Sequence, residues 1–133
     1  MANPIEATKF YVNRNMKKLR DFLFKCTKKE LISFIFNTQE QTGQKVSTIS
    51  SIAYEQLMYA YYKEKKKRPD LQPKMKLALK HLLRGDLKNL KTVMSGYSKL
   101  ELLGLIYHLS TTTVNVRIPD RVELLFKSIN TKR

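Results

Sequence analysis

Cysteine occurs once in this 133-residue chain, at Cys26, and tryptophan not at all. A lone cysteine excludes an internal disulfide and a cysteine-rich metal site, and it suits a reducing compartment. Glycine and proline are scarce, with four of each. So few breakers argue against long disordered stretches and against a fold made of many tight turns. No apolar run approaches a membrane span, because Lys25, Lys28 and Lys29 interrupt the best stretch. The opening residues MANPIEATKF lack the charged start and apolar core of a secretion signal. The expected protein is soluble and intracellular, in cytoplasm, nucleoid or nucleus.

Acidic residues are the other shortage: eleven stand against twenty-six lysines and arginines, for a net charge of +15. Such an excess costs stability through self-repulsion, and a polyanionic partner relieves it. Nucleic acid is the first expectation, DNA before RNA. An acidic protein is the alternative, and an anionic membrane comes third, because the cations are not paired with a large exposed aliphatic face.

Catalytic groupings are missing too. His81 and His108 have no cysteine or paired carboxylate at metal-ligand spacing. Gly43, Gly85, Gly96 and Gly104 are isolated, so there is no glycine-rich phosphate loop. Asp120 and Glu123 lack a partner acid, and no nucleophile elbow is present. The reading is no enzyme, no metal and no cofactor.

What the chain does have is helix periodicity. Leucine, lysine and methionine are plentiful, and 42% of residues are apolar. The expectation is an all-α fold: a single compact helical domain over 1–133, with roughly six helices. At most a short extended segment is expected near 111–118, where β-branched residues gather. Val12, Met16, Leu19, Leu23 and Cys26 recur at steps of four and three. That spacing predicts one helix over roughly residues 5–25. Lys17, Lys18 and Arg20 lie off this stripe and read as its solvated face.

Thr27 and Glu30 then form a capping box, with Cys26 and Leu31 as its hydrophobic staple. The helix that follows is apolar nearly all round and is expected to end near Thr38, with residues 39–44 as a loop. Ser98 and Glu101 make a second capping box, stapled by Tyr97 and Leu102. Between the two boxes, Pro69 stops one helix and Pro73 starts the next, whose end is marked by Gly85. Asp86 caps a short helix carrying Leu87, Leu90, Val93 and Met94.

The stretch 47–68, STISSIAYEQLMYAYYKEKKKR, stands out. Ile49, Ile52, Ala53, Leu57 and Ala60 share one helical side. Tyr54, Met58, Tyr62 and Lys65 fall on the opposite one. Rings beside ammonium groups on an exposed face suit stacking on bases and pairing with phosphates. The segment 61–91 holds eleven basic and three acidic residues, a concentration that makes a footprint. The candidate phosphate contacts are Lys63, Lys65, Lys66, Lys67 and Arg68 with Lys76, Lys80 and Arg84. Tyr54 and Tyr62, with Met58 beside them, are the candidate base or sugar contacts. Lysine outnumbers arginine here, and point charges on phosphate carry little sequence information.

The chain also echoes itself. At an offset of 71, residues 19–37 face residues 90–108, with identities at Leu19/Leu90, Lys28/Lys99, Glu30/Glu101, Leu31/Leu102 and Ile35/Ile106. The domain can therefore be read as two similar three-helix units, 5–67 and 74–130. Each unit has a support helix, a capped second helix, a connection and a third helix. In that order it resembles the helix-turn-helix and winged-helix class of DNA readers. The resemblance implies a third helix able to enter the major groove, a regulatory role, and a duplex served by two units or a homodimer. The connection expected after Thr38 is longer than the three or four residues of the tight motif.

Overall fold

The computed structural model describes residues 3–65 and 72–111 of the backbone, with side chains for 3–63 and 76–108. These residues form seven helices and, among them, no strand: α1 (Pro4–Val12), α2 (Met16–Lys25), α3 (Lys28–Thr42), α4 (Val46–Lys65), α5 (Gln72–Leu83), α6 (Leu87–Ser95) and α7 (Lys99–Thr111). The fold is all-α. Thr111 ends α7; the rest of the expected extended segment, residues 112–118, lies outside the described residues. The chain divides into two compact units, Met1–Arg68 with α1–α4 and Pro69–Arg133 with α5–α7.

The expected first helix is two helices. Arg14 breaks it with φ 59°, the one non-glycine residue at positive φ among those described. The Asn15 N–H bonds the Phe10 carbonyl at 2.8 Å and the Arg14 N–H bonds that of Tyr11 at 3.2 Å. This is the Schellman closure, which satisfies the last carbonyls of α1. Asn15 then caps α2, its Oδ1 accepting from the Lys18 N–H at 3.4 Å. Apolar spacing carried through this turn and hid it. The same turn recurs in the second unit. Gly85 sits at φ 72°, with Asp86 N–H to His81 O at 2.9 Å and Gly85 N–H to Leu82 O at 3.0 Å. Asp86 then caps α6 through the Asn89 N–H at 3.2 Å.

Both capping boxes form. The Thr27 N–H reaches Glu30 Oε1 at 2.8 Å and the Glu30 N–H reaches Thr27 Oγ1 at 3.1 Å. Ser98 and Glu101 exchange the corresponding bonds at 2.8 and 3.3 Å. The staple residues Cys26, Leu31, Tyr97 and Leu102 are buried.

In the first unit, α1 packs on α2 and α3, and α4 packs on α2 and α3. Phe34 on α3 lies at the centre, fully buried. Its ring meets those of Tyr11 at 6.1 Å and Phe22 at 5.7 Å, both inclined, a geometry that the ring quadrupoles favour. Leu19, Leu23, Leu31, Ile35, Ile49 and Leu57 close around it.

The end of α3 is a second departure, since it runs to Thr42 rather than Thr38. Thr38 is buried against α1, where its Oγ1 shares a hydrogen bond with Thr8 Oγ1 at 2.9 Å, and Asn37 donates to the same Thr8 oxygen at 2.7 Å. Packing thus holds polar residues in a helix that composition alone would end. Gly43, at φ 75°, stops it, and only residues 43–45 connect α3 to α4.

In the second unit α5 packs on α6 and α7. Ala78, Leu82, Leu90, Met94, Leu102, Leu103, Leu105 and Ile106 are buried there, with Tyr97 among them. Burial first, and the Glu101 carboxylate second, push the Tyr97 hydroxyl up to about 12.

Two outcomes follow from these turns and this burial. Arg14→Gly should stabilise the protein by roughly 0.5–1 kcal/mol, because glycine removes the left-handed strain, whereas Gly85→Ala should cost about 1 kcal/mol; chemical denaturation reads both. A raised phenol favours the neutral ring in the fold, so its contribution is complete below the ordinary tyrosine range and is lost as pH climbs through about 12. The absorbance difference between wild type and Tyr97→Phe should therefore titrate near pH 12, and a midpoint at 10 would contradict the burial.

Candidate nucleic-acid interface

Helix α4 supplies the rings, but on a different line from the expected one. Ile49, Ala53 and Leu57 face the core as the spacing implies. Tyr54 and Met58 are half-buried, and the exposed line is Glu55, Tyr59, Tyr62 and Lys63. The reason is that α2 and α3 both pack on α4, so the buried arc is wider than one stripe and takes in the flank holding Tyr54. Tyr62 remains open, with 54% of its surface exposed, and Tyr59 matches it at 49%.

Opposite Tyr59 stands α2. The Arg20 guanidinium lies over the Tyr59 ring, 4.7 Å from its centroid, and its Nη1 donates to Gln56 Oε1 at 2.8 Å. Gln56 and Tyr59, within one turn of α4, thus hold an arginine of α2 in one orientation. One step along, Phe24 meets Tyr61 edge to face at 5.3 Å. Between the helices runs an open cleft of about 330 Å³ lined by Lys17, Arg20, Asp21, Phe24, Tyr59, Ala60 and Lys63. Three cations and one carboxylate give it a positive balance. Among the described residues no carboxylate pairs with Lys17 or Lys63.

A larger cleft, of about 770 Å³, lies where α1, α2 and the start of α3 meet. Lys18, which sits 5.7 Å over the Phe10 ring, and Lys25 face Glu6, Asp21 and Glu30 there. Carboxylates outnumber lysines, which makes it a poor seat for a polyanion.

The other expected contacts are placed as follows. Lys63 lies at the α2–α4 cleft. Lys65 is the last residue of α4; its side chain, and Lys66, Lys67 and Arg68 entirely, lie outside the described residues. Lys76, Lys80 and Arg84 are exposed in the second unit, the first two one turn apart on α5 and Arg84 in the turn after it. Leu77 and Leu83 are exposed beside them, at 44% and 67%. Sequence reasoning missed Lys17, Arg20 and Tyr59. Tyr59 stands four residues from both Glu55 and Lys63, and that polar spacing was the available signal. Nothing in the sequence pairs α2 with α4.

Among the described residues His81 Nδ1 is buried without a hydrogen-bond partner, although Asp86 Oδ2 is 3.8 Å away. At that distance the contact is electrostatic and not a hydrogen bond. Hydrogen bonds from the Asn89 side chain, and then from its backbone N–H, hold the Asp86 carboxyl below its ordinary range. Among the described residues no three His, Cys, Asp or Glu side chains gather as metal ligands, and no helix is long and apolar enough to cross a membrane. No protein-family model, curated protein or solved structure matches this chain.

The Arg20–Tyr59 stack is measurable by itself. A double-mutant cycle with Arg20→Met and Tyr59→Leu should return a coupling of about 0.5–1 kcal/mol in folding stability. A coupling of zero would mean that the two side chains are neighbours without attraction.

Proposed function

We propose that this is a non-catalytic nucleic-acid-binding protein, preferring DNA to RNA, that grips the phosphate backbone with little sequence specificity. The observation that carries the reading is the α2–α4 cleft, where Lys17, Arg20 and Lys63 converge beside exposed tyrosine rings. Lysines supply mobile point charges to phosphates. Arg20, stacked and hydrogen-bonded, offers a pre-oriented fork to one of them. Tyr59 and Tyr62 present ring faces on which a base or sugar can lie. The connection of residues 43–45, centred near Gly43, falls within the length used by helix-turn-helix proteins. This favours a duplex ligand and a regulatory role.

A second reading rests on α5. Leu77 and Leu83 lie exposed among Lys76, Lys80 and Arg84, a mixture that suits an acidic protein segment with its own apolar residues. In this reading the chain is a basic helical adaptor, for instance a viral or phage accessory factor.

Titration of labelled duplex DNA, single-stranded DNA and RNA at several salt concentrations separates the two. A footprint of about five phosphates on duplex DNA should give a slope of log K against log salt of roughly −4.5. Charge reversal at Lys17 and Lys63 should weaken every sequence alike. Tyr59→Ala or Tyr62→Ala should cost about 1–3 kcal/mol on single strands and less on duplex if bases stack there. Absence of binding at low salt would favour the acidic-protein reading.

A further inference from the structure

The offset of 71 residues organises the structure as well as the sequence. Helices α2 and α3 begin at Met16 and Lys28, and α6 and α7 begin at Leu87 and Lys99, each pair 71 apart. Helices α1 and α5 end at Val12 and Leu83, again 71 apart. The left-handed residues Arg14 and Gly85, the caps Asn15 and Asp86, and the capping boxes at Thr27 and Ser98 all fall in the same register. Burial follows it too: Leu19 and Leu90 are fully buried, as are Leu23 and Met94. In the same register Lys17 corresponds to Lys88, both exposed, and Arg20 to Lys91, both half-buried.

We propose that Lys88 and Lys91 on α6 form a second phosphate-binding face, equivalent to the one that Lys17 and Arg20 form on α2. The ligand is the phosphodiester backbone of the same nucleic acid, and this rests on the function proposed above. Two differences refine it. Asp21, the one carboxylate at the α2 cleft, corresponds to Thr92, so the α6 face carries no acid at that place. Phe24, another lining residue of the α2 cleft, corresponds to Ser95. The α6 face therefore offers lysine charge to phosphate without a carboxylate beside it, and it should be indifferent to sequence. Charge is also shared between the units: fourteen basic and six acidic residues lie in Met1–Arg68, and twelve and five in Pro69–Arg133. Among the described residues no carboxylate pairs with Lys88 or Lys91.

The test compares four full-length proteins on one labelled duplex by fluorescence anisotropy across a salt series: wild type, Lys17→Glu with Lys63→Glu, Lys88→Glu with Lys91→Glu, and a charge-matched control, Lys29→Glu with Lys45→Glu. Circular dichroism checks folding. If the α6 pair fails to fold, Lys88→Gln with Lys91→Gln replaces it. Loss of two phosphate contacts should make the salt slope shallower by about 2 for the α6 pair, and by a similar amount for the α2–α4 pair, with a much smaller change in the control. A wild-type slope and affinity in the α6 variant, with the α2–α4 variant weakened, would overturn the second face and leave the proposed function standing. A control as damaging as the α6 pair would overturn it as well, since overall charge would then account for the loss. Failure of the wild type to bind at low salt removes the function and, with it, the second face.

Discussion

The ends of the helices govern this fold. Every helix leaves its first N–H groups and last carbonyls without partners. Within each unit the connections between these helices are two or three residues long, so those groups must be satisfied locally. Here one device does it once in each unit: a left-handed residue, Arg14 or Gly85, closes a helix and the next residue, Asn15 or Asp86, opens the following one, while Thr27 and Ser98 cap α3 and α7 through their capping boxes. The short connections fix where each helix leaves the last. Their register places Phe34, Leu19 and Leu23 in one core, and Leu90, Met94 and Leu102 in the other.

The surface inherits that geometry. On α2 the buried residues Leu19, Phe22 and Leu23 point inward, so Lys17 and Arg20 must flank the contact with α4. The stack of Arg20 on Tyr59 is then a consequence of packing as much as a feature of the surface. A guanidinium placed over a ring and hydrogen-bonded to Gln56 loses some of its freedom. The α5 surface differs: its lysines stand beside exposed leucines, without a ring among the described residues to orient them.

Much of the architecture was legible in the sequence because its signals are local. A capping box spans four residues, and its two hydrogen bonds require no distant partner, so Thr27–Glu30 and Ser98–Glu101 could be placed from spacing alone. Gly85 announces a left-handed position because glycine adopts it without strain. Arg14 announces nothing, since arginine gives no sign of positive φ, and the break between α1 and α2 was invisible for that reason. The last turn of α3 was equally hidden. Its polar residues look like a loop until Thr8, thirty residues away along the chain, is seen bonding Thr38.

The amino-acid sequence by itself determined that the chain is helical, where most helices are capped, and that it carries a net charge of +15. These follow from periodicity, short-range hydrogen bonding and summed charge, none of which depends on how the chain turns back on itself. Tertiary structure alone decided which residues face outward together. Two helices packing on α4 widened its buried arc, turned Tyr54 partly inward and left Tyr59 open. The same packing brought Arg20 from α2 to that ring, because side chains thirty-nine positions apart meet only when the core between their helices has formed.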